Sequence, residues 1–194
     1  IYQGEELGMT NRKCRDFSEF RDIEIKNAYR DFVGGGILDE ETMLKFVNAI
    51  GRDNARFPMH WDDSDNAGFT TGTPWISVNE NYKKINAAAQ VNDPDSIFSY
   101  YKKLIELRHQ MEIIVYGVYK SKAIEHPDVF AYTRTLGDEK LFVVCNFREQ
   151  EMDFTLEDGF TGDEKVLISN YDDVVKTENG IYLRPYEAKV FYRK

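Results

Sequence analysis

The spacing of apolar residues changes character once along the chain. Up to about residue 112 it reads as loop and helix, and from about residue 114 it reads as strands. Ile1-Tyr2 has the look of a strand tail that ends at Gly4. Asp39-Glu40-Glu41 opens a helical pattern with Met43, Phe46, Val47 and Ile50 on one face, and Gly51 suits its end. The stretch from Arg52 to Asn92 is too long for an ordinary connection, and its Trp61, Phe69, Trp75 and Tyr82 predict an ordered loop with an aromatic core. Asp93-Pro94 then predicts an N-cap and a first helical residue, with the helix running on through Ile97, Tyr101, Leu104, Ile105 and Arg108.

The second part has a different period. Val129–Arg134 and Lys140–Val144 flank Gly137-Asp138, which predicts a hairpin. Met152–Leu156, Val166–Ser169, Ile181–Leu183 and Lys189–Tyr192 are further strands. Short strands at this spacing predict an antiparallel β-sandwich. The first part has too little regular structure to close a core of its own. The chain therefore reads as a segment of one domain, residues 1–112, followed by an all-β domain, residues 113–194.

Composition narrows the function. A net charge of −9 in 194 residues argues against a nucleic-acid footprint or an anionic membrane as partner, and fits a neutral small molecule or sugar. No run of about 18 apolar residues occurs, so no helical membrane span is expected. The two cysteines, Cys14 among charged residues and Cys145 in an apolar run, form no CxxC pair. They read as free thiols of a reducing, cytoplasmic protein, and no metal or cofactor is expected. The chain opens abruptly on Ile1-Tyr2-Gln3-Gly4, with neither an initiator Met nor a signal-peptide pattern, as a piece of a longer chain would.

Five stretches carry a resemblance. They are Ile1-Tyr2-Gln3-Gly4-Glu5-Glu6-Leu7-Gly8-Met9-Thr10-Asn11; Gly51-Arg52-Asp53-Asn54-Ala55-Arg56-Phe57-Pro58-Met59-His60-Trp61-Asp62; Asn66-Ala67-Gly68-Phe69-Thr70 with Pro74-Trp75-Ile76 and Asn81-Tyr82; Ser99–Arg108; and Leu183-Arg184-Pro185-Tyr186-Glu187-Ala188. Together they resemble, in order, the oligo-1,6-glucosidase branch of the α-amylase superfamily (glycoside hydrolase family 13). The second is similar to that branch's GRDNARTPMQWD, with Phe57-Pro58 and Met59-His60 where the branch has Thr-Pro and Met-Gln.

The resemblance implies the end of a (β/α)8 barrel, comprising the tail of the last strand, a long loop and the last helix, followed by a β-sandwich. A whole barrel takes roughly 250 residues. The strands that carry the family's nucleophile Asp, acid/base Glu and third Asp lie before Ile1, and no pair of carboxyl groups about 5–5.5 Å apart is assigned within this chain. The parent is expected to be an exo-acting α-glucosidase cleaving α-1,6 bonds of short oligosaccharides with retention, and this chain alone to be inactive. Its partners would be an isomaltose-like substrate and the rest of the barrel, with self-association of the exposed remnant. Trehalose-6-phosphate hydrolase and sucrose isomerase share the pattern. Another class of reading is a non-catalytic sandwich module, which needs exposed rings among Tyr116, Tyr119, Tyr132, Tyr171 and Tyr182, although strand alternation turns many of these inward.

Arg56 is the first candidate for substrate binding, since the resemblance places it on the non-reducing glucose and a guanidinium offers a fork of donors to hydroxyls. The alternative is a structural pair with Asp53 or Asp62. Arg52, with Asp53, is a weaker candidate, since an Arg-Asp pair beside a loop more often fixes loop shape than touches ligand. Glu24 lines the acceptor side or is a solvated helix residue. Glu5 and Glu6 are expected to bond loop backbone. His60, His109 and His126 show no ligand spacing, and Trp61, Phe69 and Trp75 either stack on sugar or fill the loop core.

Overall fold

The computed structural model describes residues Ile1–Lys194, which divide into two compact units, Ile1–Tyr101 and Lys102–Lys194. No helix is long and apolar enough to cross a membrane.

In the first unit, α1 (Ile23–Ala28) starts at Asp22, whose side chain accepts the Glu24 N–H, and runs into a five-residue π turn, Tyr29–Val33. Helix α2 (Glu40–Ile50) starts as its sequence predicts. The Asp39 carboxylate accepts from Thr42 N at 2.8 Å, and the helix stops at Gly51. Its apolar face is only half used: Met43 and Val47 are buried, whereas Phe46 and Ile50 are exposed. A helix in a unit this small packs one narrow stripe, here against Cys14, Phe20 and Ile25.

The long loop is ordered, but three of the aromatics expected in its core lie outside it. Trp61, Phe69 and Trp75 are 52%, 48% and 64% exposed. Order comes from backbone and amide bonds instead. Short 3-10 turns form at Arg52–Ala55, Asp65–Gly68 and Glu80–Lys83, and Asn86 caps α3 (Ala87–Gln90). The Asn79 side-chain amide donates to Thr10 O at 3.0 Å, and Ala87 N and Ala88 N donate to His60 O and Trp61 O. Asn66, Ala67 and Gly68 take left-handed backbone in succession, held by Trp61 N and Asp62 N donating to Ala67 O.

Two boundaries differ from expectation. Ile1 and Tyr2 form no strand, because a lone extended segment has no ladder to complete. Instead Tyr2 N donates to Glu5 Oε2. Helix α4 (Ile97–Gln110) starts after Asp93-Pro94 rather than at it. Asp93 closes a turn by accepting Asp95 N, and Ser96 is the cap, its hydroxyl accepting Ser99 N at 3.1 Å while its single proton lies within reach of Asp93 O and Gln90 O.

The second unit holds the rest of α4, α5 (Glu112–Tyr116) and eight strands: β1 (Val118–Lys122), β2 (Val129–Leu136), β3 (Glu139–Asn146), β4 (Met152–Thr155), β5 (Lys165–Ser169), β6 (Val175–Thr177), β7 (Gly180–Leu183) and β8 (Ala188–Arg193). All pairs are antiparallel, in a five-stranded sheet ordered β1-β2-β3-β8-β5 and a three-stranded sheet ordered β4-β7-β6. The predicted hairpin turns at Gly137-Asp138, with Leu136 opposite Glu139 and Gly137 at φ +60°. Alternation on β2 sends Val129, Ala131 and Thr133 inward. Those first two join Phe142, Val144, Phe154, Phe160, Ile181, Leu183 and Phe191 in one core. Strand β3 does not alternate, since Leu141 to Val144 are all buried. Its second face is covered by α4 and α5, with Leu104, Leu107 and Ile114 meeting Tyr132, Leu141 and Val143 around a cavity of about 90 Å³.

Candidate functional site

Arg56 closes the 3-10 turn of Arg52–Ala55, and its guanidinium is pinned by two carboxylates. Nη2 lies 2.9 Å from Asp22 Oδ2 and Nη1 3.2 Å from Asp53 Oδ1. Both carboxylates are buried, at 4% and 1% exposure, while the Arg56 side chain remains a third exposed. Asp53 is the more fully satisfied: its Oδ2 accepts the backbone N–H groups of Arg21 at 2.6 Å and Asp22 at 3.1 Å. Arg52 pairs with Glu24, Nη1 to Oε1 at 2.8 Å, and approaches Asp22 Oδ2 at 3.7 Å. The hydrogen bond to Glu24, then the charges of Glu24 and Asp22, raise the Arg52 guanidinium above its ordinary value.

The turn and the start of α1 thus bring Arg52, Arg56, Asp22, Asp53 and Glu24 into one cluster. Asp22, Glu24 and Arg52 also sit at the polar end of a cavity of about 220 Å³ whose other walls are apolar, from α1 and α2. Of the two partners expected for Arg56, the structure uses Asp53. Asp62 instead accepts Ser64 N within its own turn. Asp22 was not legible as a member of the site. Its only local signal is an Asp ahead of a short helix too brief to show periodicity.

The remaining candidates separate cleanly. Glu5 and Glu6 bond backbone, to Tyr2 N and Gly4 N, from a 3-10 turn rather than a strand end. His60 is fully buried, with Nδ1 2.8 Å from Ile85 O and Nε2 without a partner. Burial pushes its pKa down. His109 is exposed, and His126 Nδ1 accepts the Asp128 and Val129 N–H groups in a turn. Tyr171 lies under the Arg184 guanidinium at 4.0 Å. Tyr119 and Tyr132 meet at 5.1 Å but tilted by 35°, so they make no flat platform. Cys14 and Cys145 are both free thiols, pushed up by burial.

The family model for the alpha amylase catalytic domain matches residues 1–117. The chain belongs to the α-amylase family. A second model, for the C-terminal domain of the α-amylase SusG, matches residues 129–190. Within the α-amylase family, the chain is 51% identical to an oligo-1,6-glucosidase of Parageobacillus thermoglucosidasius over 193 residues, which is 98% of this chain and 34% of that protein. It is 45% identical to a trehalose-6-phosphate hydrolase of Bacillus subtilis (strain 168) over 98% of this chain and 34% of that protein. The crystal structure of isomaltulose synthase from Klebsiella sp. LX3 superposes with a TM-score of 0.91 at 41% identity, covering 100% of this chain and 35% of that one. The chain thus spans about a third of the length of the curated relatives it matches.

Proposed function

We propose that these residues belong to an α-glucosidase that releases glucose from the non-reducing end of short α-1,6-linked oligosaccharides by a retaining double displacement. The observation that carries this reading is Arg56: a half-open guanidinium, clamped on one side by two buried carboxylates. One of its five N–H donors is hydrogen-bonded to Asp53, and Nη2 is ion-paired with Asp22, leaving donors for hydroxyls at fixed positions. In this reading Arg56 binds the terminal glucose, while Arg52 and Glu24 face the acceptor. Residues 1–112 are the end of the catalytic barrel, and residues 113–194 are the C-terminal sandwich. The identity with oligo-1,6-glucosidases supports the substrate class.

The carboxylates of the cluster support placing the nucleophile and acid elsewhere. Asp22, Asp53 and Glu24 are each paired with an arginine, which favours their ionised form and suits none of them to the general-acid role. The 194-residue chain alone is expected to give no glucose from isomaltose. Turnover that disappears when one of its own carboxylates is substituted overturns this. Exposed Trp61, Trp75 and Ile97 favour self-association of the isolated chain, and the two free thiols favour a reducing cytoplasm.

The decisive variant is Arg56→Ala in the full-length enzyme, expected to lower kcat/KM on isomaltose by on the order of 2–4 kcal/mol. Near-normal kinetics make Arg56 structural. The identity to a trehalose-6-phosphate hydrolase supports a second reading. Against it, Arg52 and Arg56 already carry carboxylate partners, which weakens their attraction for a phosphate. Hydrolysis of trehalose 6-phosphate in preference to isomaltose decides for the second reading.

A further inference from the structure

One carboxylate, Asp22, touches every part of the candidate site. Its Oδ1 accepts Glu24 N at 2.8 Å and so starts α1. Its Oδ2 lies 2.9 Å from Arg56 Nη2 and 3.7 Å from Arg52 Nε. The backbone N–H of the same residue donates to Asp53 Oδ2, the other anchor of Arg56. The side chain is 3% exposed, yet Oδ2 has only ion-pair contact and no aligned hydrogen bond. Asp53, by comparison, takes aligned donors on both oxygens.

A short helix does not need a charge at this position. Asparagine caps a helix about as well as aspartate does. The feature that does need a carboxylate is the approach of two guanidinium groups to one buried oxygen. Arginine carries about 2 kcal/mol of rotamer entropy, and a side chain that meets hydroxyls must have that entropy removed before the ligand arrives. Asp53 alone holds Arg56 through Nη1. Asp22 adds the second point, on Nη2, that fixes the plane of the fork.

We propose that Asp22 is a positioning residue for substrate recognition, orienting the Arg56 guanidinium toward the sugar hydroxyls and holding Arg52 beside it. This rests on the reading of Arg56 as the glucose-binding residue. The ligand it serves is a neutral, hydroxyl-rich glucoside, met by the donors that the Asp22 and Asp53 pairs leave unused.

The test is a double-mutant cycle on isomaltose in the full-length enzyme, with wild type, Asp22→Asn, Arg56→Ala and the double variant, each also followed by thermal unfolding. Asp22→Asn keeps the cap and the shape. It is expected to lower kcat/KM at least tenfold, mainly through KM, with the unfolding midpoint little changed. In the Arg56→Ala background the same substitution is expected to change kcat/KM by less than twofold, because its target is gone. Wild-type kinetics for Asp22→Asn beside an impaired Arg56→Ala overturn the positioning role and leave the glucose-binding reading standing. A loss that multiplies in full with that of Arg56→Ala, or one matched by a fall in stability, also overturns it. If Arg56→Ala itself retains normal kinetics, the glucose-binding reading falls and this inference falls with it.

Discussion

The two units are held together by different chemistry. The sandwich, in the second, is a hydrophobic object: Phe142, Phe154, Phe160 and Phe191 interleave between two sheets, with ring centroids of Phe142 at 6.3 Å from Phe154 and 5.3 Å from Phe160. The first unit has a small apolar cluster under α1 and α2, and its long loop is tied by side-chain amides and carboxylates reaching backbone. Apolar burial is non-directional and tolerates sliding, whereas an amide bond to one carbonyl specifies one position. A region that sets Arg56 against Asp22 and Asp53 at 2.9 and 3.2 Å is better built from the second kind of contact.

Mutation separates the two kinds. The largest effect is expected from Phe142→Ala in the sandwich core, about 3–5 kcal/mol in urea unfolding, as for other large-to-small core truncations. Asn79→Ala should cost about 1–3 kcal/mol, because it strips donors from the Thr10 and Asn11 carbonyls. If the order is reversed, the loop rather than the sandwich dominates the stability. Gly68→Ala is smaller, about 1–2 kcal/mol, from a left-handed backbone at φ +65° and a Cβ placed 2.6 Å from the Asp62 carboxylate. Proteolysis between Arg52 and Asn92 reads that change locally.

The smallest expected effect is in pH. His60 is buried in the loop, faces the Tyr82 ring at 6.2 Å, and has no acceptor for a second proton. Burial depresses its folded pKa, so the unfolded chain binds the proton first. The stability from neutral His60 is complete above its ordinary value of about 6.5. It falls as the pH drops from there toward the folded pKa, by at most about 1.4 kcal/mol per pH unit. Unfolding midpoints at pH 7.5 and 5.5 should differ less in His60→Gln than in the wild type. An equal difference would show that the carboxylates carry the whole dependence. The sandwich has its own titrating knot, in which buried Glu187 bridges Arg184 and Lys189. Those partners overcome the cost of burial and lower the Glu187 pKa, so this contribution is lost only at more acidic pH.

Legibility in the sequence followed the same division. The hairpin at Gly137-Asp138 and strands β2 to β5, β7 and β8 could be read from alternation and turn residues, as could the cap and stop of α2. Two strands could not. β1 is a mostly polar edge strand, and β6 is three residues long. Helix α1 entered only as one alternative for Glu24, and its π extension not at all, because six residues are too few to show a period. Lys189 and Glu187 would be placed outside by charge, yet they are almost fully buried because each neutralises the other.

The sequence by itself determined the family, the antiparallel character of the second half, and Arg56 as the residue to watch, because periodicity, turn chemistry and a continuous motif are local properties of the chain. Only the tertiary structure decided that Arg56 leans on Asp22 across 34 positions rather than on Asp62 six residues away. It likewise decided that Trp61, Phe69 and Trp75 are exposed while Phe57 is buried, and that β3 is buried on both faces. Each of those outcomes depends on which segments meet in space, and a carboxylate's partner is settled by the distance and burial of the folded chain, not by its neighbours in sequence.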